Sequence, residues 1–391
     1  MTIRKKLTKS VLIIFCFLFL FSLFSCFNNS SIPTPKPTPD IRNTAFVVLP
    51  DKQRVDVINT DINEAFDSLF TEEKPSSIAI SPNEKLILVT NSGSGTVSAF
   101  FRKPNDTFQK LNSVGSGKNP QGIVFNPVFP EAYVAYEDDG KILVLDTKNT
   151  NISPTVISSI DIKGSTPKKM VTNKDGTKLF VTDSANGKLL VFAKTKNELI
   201  KKTEEISLIE NSKDGYSDIF EGIGIDSSEK IYISDYQRDN LIVVNGKKTN
   251  EKIQYINLKL PNNNLKNVSN IGPKNMVIYK ILDGKEKIYV VGYNASIVSS
   301  IDIKTSKVVN ISLTSSKGFQ GNALRDSYNP VGATFANFND KDFIYVTNTS
   351  GLPLSMIDPE TDRLQRYTTT TLSMPEQGYG EIISCCKYIK F

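Results

Sequence analysis

Histidine and tryptophan are absent from all 391 residues. Without histidine there is no Ser-His-Asp or Cys-His nucleophile system, and no imidazole-bound zinc, copper, haem or non-haem iron. Carboxylate-only chemistry and oxygen-ligated calcium stay open. Cysteine is scarce as well: Cys16, Cys26, Cys385 and Cys386 are all there are. They form no Cys-x-x-Cys pair and no haem-attachment motif, and the chain has no phosphate-binding glycine loop. No cofactor, metal site or catalytic residue is therefore assigned from the sequence. Cys385 and Cys386 are neighbours, so on a strand they face opposite sides. They read as small buried residues, with a strained vicinal disulfide as the other option. Long helical patterns are also missing, since apolar runs after the N-terminus are four to six residues long and β-branched. Excess charge is local. The net charge is +6, but Arg4, Lys5, Lys6 and Lys9 precede any acidic residue, and the rest is about +2 with both signs interspersed. A nucleic-acid partner, which calls for a basic stripe or patch, is not expected.

The first residues carry a different signal. A basic head from Arg4 to Lys9 precedes an apolar run from Val11 to Phe24, then Ser25 and Cys26. The run is too short to span about 30 Å of hydrocarbon comfortably and fits a secretory signal peptide over residues 1–25. An uncleaved signal anchor is the alternative. Leu23-Phe24-Ser25-Cys26 resembles a bacterial lipobox, which implies cleavage before Cys26 and acylation of that residue. With Phe27 rather than Asp following, the resemblance also implies an outer-membrane location, on its periplasmic or its outer side. Residues 26–43 read as a tether in which Pro33, Pro35, Pro37 and Pro39 alternate with Thr and Lys, favouring extended polyproline II.

From residue 44 to 391 the sequence repeats. Phe343-Ile344-Tyr345-Val346-Thr347-Asn348 has weaker copies at Leu86–Asn91, Leu179–Asp183, Ile231–Asp235 and Ile288–Gly292. Openings such as Pro75-Ser76-Ser77, Asn119-Pro120-Gln121, Thr166-Pro167-Lys168, Phe220-Glu221-Gly222, Gly272-Pro273-Lys274 and Asn329-Pro330-Val331 recur every 45–57 residues. Four short strands per unit, punctuated by Gly, Pro, Asn and Asp, are the cue for a propeller blade. Six complete units begin near 75, 120, 167, 217, 273 and 330. Residues 45–59 supply outer strands without an inner one, and Glu381–Tyr388 supplies an inner strand without outer ones. The two fragments make a seventh blade by split closure. The expected fold is all-β, a seven-bladed propeller. These units resemble the Tyr-Val-Thr-Asn propeller repeat family, a resemblance that implies an extracytoplasmic seven-bladed ring and includes both lactonase-like enzymes and non-enzymatic scaffolds.

Candidate chemistry is thinner. Asn91, Asp183, Asp235 and Asn348 share one register and suit Asx turns. The other possibility is a carboxylate ring at the propeller mouth that includes Glu137, Asp138 and Asp139 and holds calcium. Lys168, Lys169 and Lys274 follow unit openings as solvated lysines or, if they converge, as a site for an anion. The long connection 314–329 carries Lys317, Phe319, Gln320, Asn322, Arg325, Asp326 and Tyr328, and is the expected partner contact, since binding residues favour long loops on rigid scaffolds. The leading expectation is a lipid-anchored, non-catalytic module that binds protein or glycan. A lactonase-like or carboxylate-dependent hydrolase and an envelope assembly scaffold are the alternatives. For the anchor, labelled palmitate should incorporate into the wild type, and Cys26→Ala should lose both the label and membrane association. Equal membrane association in the variant would remove the lipid-anchor expectation.

Overall fold

The computed structural model describes residues 44–62, 64–196, 198–209, 219–259, 270–281, 284–313, 328–338, 341–350, 354–365, 380 and 382–384. They form seven four-stranded antiparallel sheets. Blade 3 is representative: an inner strand Pro120–Phe125, a second Glu131–Tyr136, a third Lys141–Asp146 and an outer Thr155–Asp161. The inner strands of blades 2 to 7 are Pro75–Ile80, Pro120–Phe125, Pro167–Thr172, Phe220–Ile225, Pro273–Lys280 and Tyr328–Phe338. They touch one another in ring order around a central channel. The seven-bladed propeller expected from the repeats is what the structure contains.

Blade 1 is assembled from both parts of the chain. Thr44–Leu49, Arg54–Asn59 and Glu64–Phe70 supply its second, third and outer strands. Its inner strand is Ile382–Ser384, with Val47 opposite Ile382, Phe46 opposite Ile383 and Ala45 opposite Ser384. Gly380 N–H donates to the Val48 carbonyl at 2.7 Å and extends the pairing. Thr347 Oγ1 of blade 7 donates to the Gly380 carbonyl at 2.8 Å, so the closing segment is also fastened to its neighbour. The split closure is observed. Cys385 and Cys386 lie outside the described residues.

The consecutive apolar runs follow from blade packing. Successive side chains of a strand point to opposite faces, and each blade is covered on both. Leu86 and Leu88 of blade 2 pack with Val134 and Tyr136 of blade 3, while Ile87 and Val89 pack with Phe46 and Val48 of blade 1. Seven such clusters are found among the described residues, one at each blade interface. The closing interface sets Ala45, Val47 and Ile382 against Phe343, Tyr345 and Met356. Outer strands have no second partner strand and turn polar, as in the exposed Lys201–Ser207.

The Tyr345–Asn348 motif resolves into four jobs. Tyr345 is a fully buried anchor, and Tyr133, Tyr232 and Tyr289 hold the same register in their own second strands. Tyr133, Tyr232 and Tyr289 donate their phenolic hydrogens to Glu131 (3.0 Å), Asp226 (2.9 Å) and Asp362 (2.7 Å). Val346 fills the interface between blades 6 and 7. The Thr position serves a β-bulge. In blades 2 to 7 the ladder slips just after the opening residue, which is Pro75, Pro120, Pro167, Phe220, Pro273 or Pro330. Thr90 Oγ1 then accepts from Ser77 N–H at 2.9 Å, and Thr182 Oγ1 from Lys169 N–H at 3.0 Å. The Asx position ties the following turn. Asp235 Oδ1 accepts from the N–H groups of Gln237 and Arg238, and Asn348 Nδ2 donates to Ser355 Oγ at 3.0 Å.

Deleting residues 378–391 removes the inner strand of blade 1 and opens the interface with blade 7. The single cooperative melting transition of the full chain should then broaden or split. An unchanged melting curve would refute the split blade as the closure.

Candidate functional site

The bulge also aims side chains. Pro120 lies opposite Tyr136 and Gly122 opposite Ala135, which leaves Gln121 as the extra residue. An extra residue of this kind is released from the ladder, and bulges commonly re-aim a side chain beside a functional site. The second inner-strand residues of blades 3 to 6 are Gln121, Lys168, Glu221 and Lys274. All four are polar, and they gather at the channel mouth on the side where the inner strands begin.

Lys168 is the centre of this group. Its Nζ lies 2.7 Å from Glu221 Oε1 of blade 5 and 4.0 Å from Glu137 Oε1, which follows the second strand of blade 3. One ammonium group thus bridges two carboxylates from different blades. Asn119, in the left-handed region at φ 55°, turns its amide toward the same place. Its Nδ2 donates to Glu137 Oε2 at 3.2 Å and to Asp138 Oδ1 at 3.1 Å, and its Oδ1 accepts from Gln121 Nε2 at 2.6 Å. On the opposite side of Glu221, Lys274 Nζ sits 4.1 Å over the ring of Tyr293. Tyr236 donates its phenolic hydrogen to Asn294 Oδ1 at 3.1 Å, and Asn294 Nδ2 donates to Asn270 Oδ1 at 2.7 Å.

The two carboxylates are pushed in opposite directions. Burial raises the Glu137 pKa above its ordinary value, and the charges of Asp138 and Glu221 add to this against the pull of Lys168. Burial works against the Glu221 charge too, but Lys168, then Lys169 and Lys274, outweigh it and hold Glu221 below its ordinary value. Two carboxyl groups around one cation, with proton affinities driven apart, are an arrangement suited to acid–base chemistry. Asp139 is not part of it: its Oδ2 accepts from Lys118 N–H at 2.9 Å and pairs with Lys141 at 3.0 Å.

The sequence expectations meet this geometry unevenly. Lys168, Lys169 and Lys274 do converge, and Glu137 and Asp138 stand beside them. Asn91, Asp183, Asp235 and Asn348 are spent on their own turns and blades, as in the Asp183 Oδ1 bond from Thr166 N–H at 2.9 Å. Among the described residues no three acidic or thiol side chains gather in a way that could hold a metal ion. Glu221, Asn119, Gln121 and Asn294 were missed. Glu221 had a signal, since it stands at the same offset after a unit opening as Lys168 and Lys274. Lys317, Phe319, Gln320, Asn322, Arg325 and Asp326 lie outside the described residues, as does Cys26. Tyr328, placed in the loop by the sequence reading, instead begins the inner strand of blade 7 opposite Ser350, because the ladder there continues past the opening proline.

No protein-family model matches the chain, and no curated protein does. Solved structures do. A Bacteroides fragilis protein provisionally named a 6-phosphogluconolactonase is 17% identical, with 87% of this chain and 96% of that one covered at a TM-score of 0.65. A periplasmic gluconolactonase from Pseudomonas aeruginosa is 12% identical, over 87% of this chain and 98% of that one at 0.62. Virginiamycin B lyase from Staphylococcus aureus is 11% identical, over 78% and 92% at 0.51. At these identities the likeness establishes the fold, a seven-bladed β-propeller. It also corrects the leading functional expectation. Structures that share nearly the whole ring carry the names of lactonases and a lyase, so a non-catalytic module for protein or glycan no longer leads. The physical reason lies at the mouth, where converging carboxylates and lysines supply reactive groups that docking alone does not require.

The raised Glu137 pKa has a stability consequence of definite sign. A carboxyl whose folded pKa lies above its unfolded one stabilises the fold only while protonated, and that contribution is lost as pH rises through the folded value. Glu137→Gln removes the penalty of ionisation. Its melting temperature should match the wild type near pH 4 and exceed it by about 1–3 °C at pH 7. A variant less stable than wild type at pH 7 would contradict the assignment of the shift to burial.

Proposed function

We propose that the chain is a lactonase-like hydrolase whose active site is the Glu137–Lys168–Glu221 cluster at the propeller mouth. The observation that carries this reading is one ammonium shared by two carboxylates whose proton affinities are driven apart. The names of the two lactonase neighbours support the choice of a cyclic ester among possible substrates.

In the proposed reaction a ring ester lies over Lys168. Glu137, whose raised pKa brings it closer to working pH than an ordinary carboxylate, takes a proton from water. The water oxygen bonds to the ester carbon, and the developing oxyanion is stabilised by the lysine charges already fixed at the mouth. The ring C–O bond then breaks, and the proton held by Glu137 passes to the departing alkoxide. Glu221 stays ionised throughout and fixes Lys168 through its 2.7 Å contact. No metal is needed in this scheme, and each step uses a group present in the cluster.

The expectations for the rest of the chain go with this reading. The Tyr345–Asn348 repeat supports membership of the Tyr-Val-Thr-Asn propeller family. The Leu23–Cys26 motif supports a signal peptide over residues 1–25, an acylated Cys26 and a tether over 26–43. The catalytic ring, 44–391, is proposed to be held at the outer membrane.

The test is hydrolysis of a panel of γ- and δ-lactones by the full-length chain, followed by acid release. Glu137→Gln should lower kcat/KM by about 10²–10⁴, the usual contribution of a general acid–base group. Lys168→Met should lower it by about 10²–10³. Activity should rise with pH through a limb lying above the ordinary glutamate range. Removing the Lys168 charge, which opposes the Glu137 shift, should move that limb to higher pH in the residual activity. No lactone cleaved above the buffer rate, or a Glu137→Gln variant as active as wild type, would end this reading.

A further inference from the structure

Below the charged mouth the channel changes character within one residue. Gly122, Lys169, Gly222 and Asn275 directly follow Gln121, Lys168, Glu221 and Lys274, and they line the upper end of a cavity of about 260 Å³. Deeper in, its wall is mainly apolar, made of Ile78, Ile123, Met170, Ile223, Met276 and Ile383 with Thr334 as a polar member. A second cavity of about 290 Å³ shares Ile78, Ile123 and Ile383 with the first and continues toward the opposite face. The two adjoin at these three residues and are together called the shaft, mainly apolar along its waist and polar at each end.

Two glycines let the inner strands close up at the top of the shaft. A Cβ on Gly122 would come within 2.1 Å of the Lys168 carbonyl oxygen, and one on Gly222 within 2.3 Å of that of Lys274. Neighbouring inner strands approach so closely that these positions admit no side chain. A group entering past Glu137 and Glu221 passes Lys169, Asn275 and Ser77 and then reaches the mainly apolar wall.

Resting on the lactonase reading above, we infer that the substrate is a lactone bearing an unbranched apolar tail, with the ring ester at the Glu137–Lys168–Glu221 mouth and the tail in the shaft. A polyhydroxylated tail is the wrong guest for this wall. Most of its hydroxyl groups would leave water and face Ile and Met side chains, since Ser77, Lys169, Asn275 and Thr334 are the few polar groups on that wall. A buried hydroxyl without a partner is costly. Each methylene placed there instead gains about 0.8 kcal/mol, or about fourfold in affinity.

The experiment measures binding and turnover separately, using γ-lactones with alkyl substituents from methyl to octyl. Calorimetry with the full-length Glu137→Gln chain gives Kd without turnover, and the wild type gives kcat/KM. Affinity should tighten about fourfold per methylene over the first several carbons and then level off. Met276→Phe and Ala333→Leu, which narrow the shaft, should each compress the ratio of octyl to methyl affinity at least tenfold. A Kd independent of tail length, or a hydroxylated sugar lactone bound more tightly than the octyl compound, would overturn the inference. The two readings fail differently. Length-dependent binding without hydrolysis sinks the catalytic proposal and keeps the shaft as a tail site. Hydrolysis with a flat length profile does the reverse.

Discussion

The pairing of Ile382, Ile383 and Ser384 with Val47, Phe46 and Ala45 turns a linear array of sheets into a ring. A blade packs on two neighbours, so a linear array would leave two apolar faces in water. One would be the face of blade 1 carrying Ala45 and Val47, and the other the face of blade 7 carrying Phe343 and Tyr345. Joining them buries both at once and fixes the geometry of the channel, because seven inner strands can surround one axis only when the circle is complete. The mouth cluster depends on this. Glu137, Lys168 and Glu221 come from three consecutive blades, and their distances are set by blade spacing rather than by any local loop.

The β-bulge near the start of the inner strand in blades 2 to 7 links scaffold to chemistry. It frees one residue in each of these blades from the ladder, and in blades 2 and 4 the hydroxyl of Thr90 or Thr182 takes over the displaced backbone N–H. The repeated Tyr-Val-Thr-Asn pattern is therefore a structural device throughout: interface anchor, core residue, bulge partner and turn closure. Variation is permitted at the freed position, where blades 3 to 6 carry Gln121, Lys168, Glu221 and Lys274. Conserving the support and varying the presented residue is how a rigid ring hosts many activities.

The ring was readable from the residues alone because its determinants are local and repeated. Prolines or their equivalent open blades 2 to 7, buried runs follow, and Asn91, Asp183, Asp235 and Asn348 stand at or near the ends of four of the second strands. Even the split blade was legible, since residues 45–59 lacked an inner strand and Glu381–Tyr388 lacked outer ones. The site was much less so. Lys168 and Glu221 are 53 residues apart and belong to different blades, and nothing in the spacing says that a 2.7 Å ion pair joins them. The long connection 314–329 drew attention by the general rule that binding residues lie in long loops, whereas the converging polar groups come from short turns and bulges. The missing histidine led the reading away from catalysis. It bears on particular nucleophile and metal systems, and leaves a carboxylate pair tuned by burial untouched.

The split blade also sets a schedule. Thr44–Leu49 is made first and its inner-strand partner Ile382–Ser384 last. At about 5–20 residues per second, the roughly 330 residues between them take on the order of half a minute to synthesise. For that interval the inner edge of the oldest strand has its backbone donors and acceptors exposed, and the six later blades can stack without it. The ring is thus completed only once residues 382–384 have been made, and a ribosome that stalls before them yields a nearly complete stack with an open side rather than a smaller propeller.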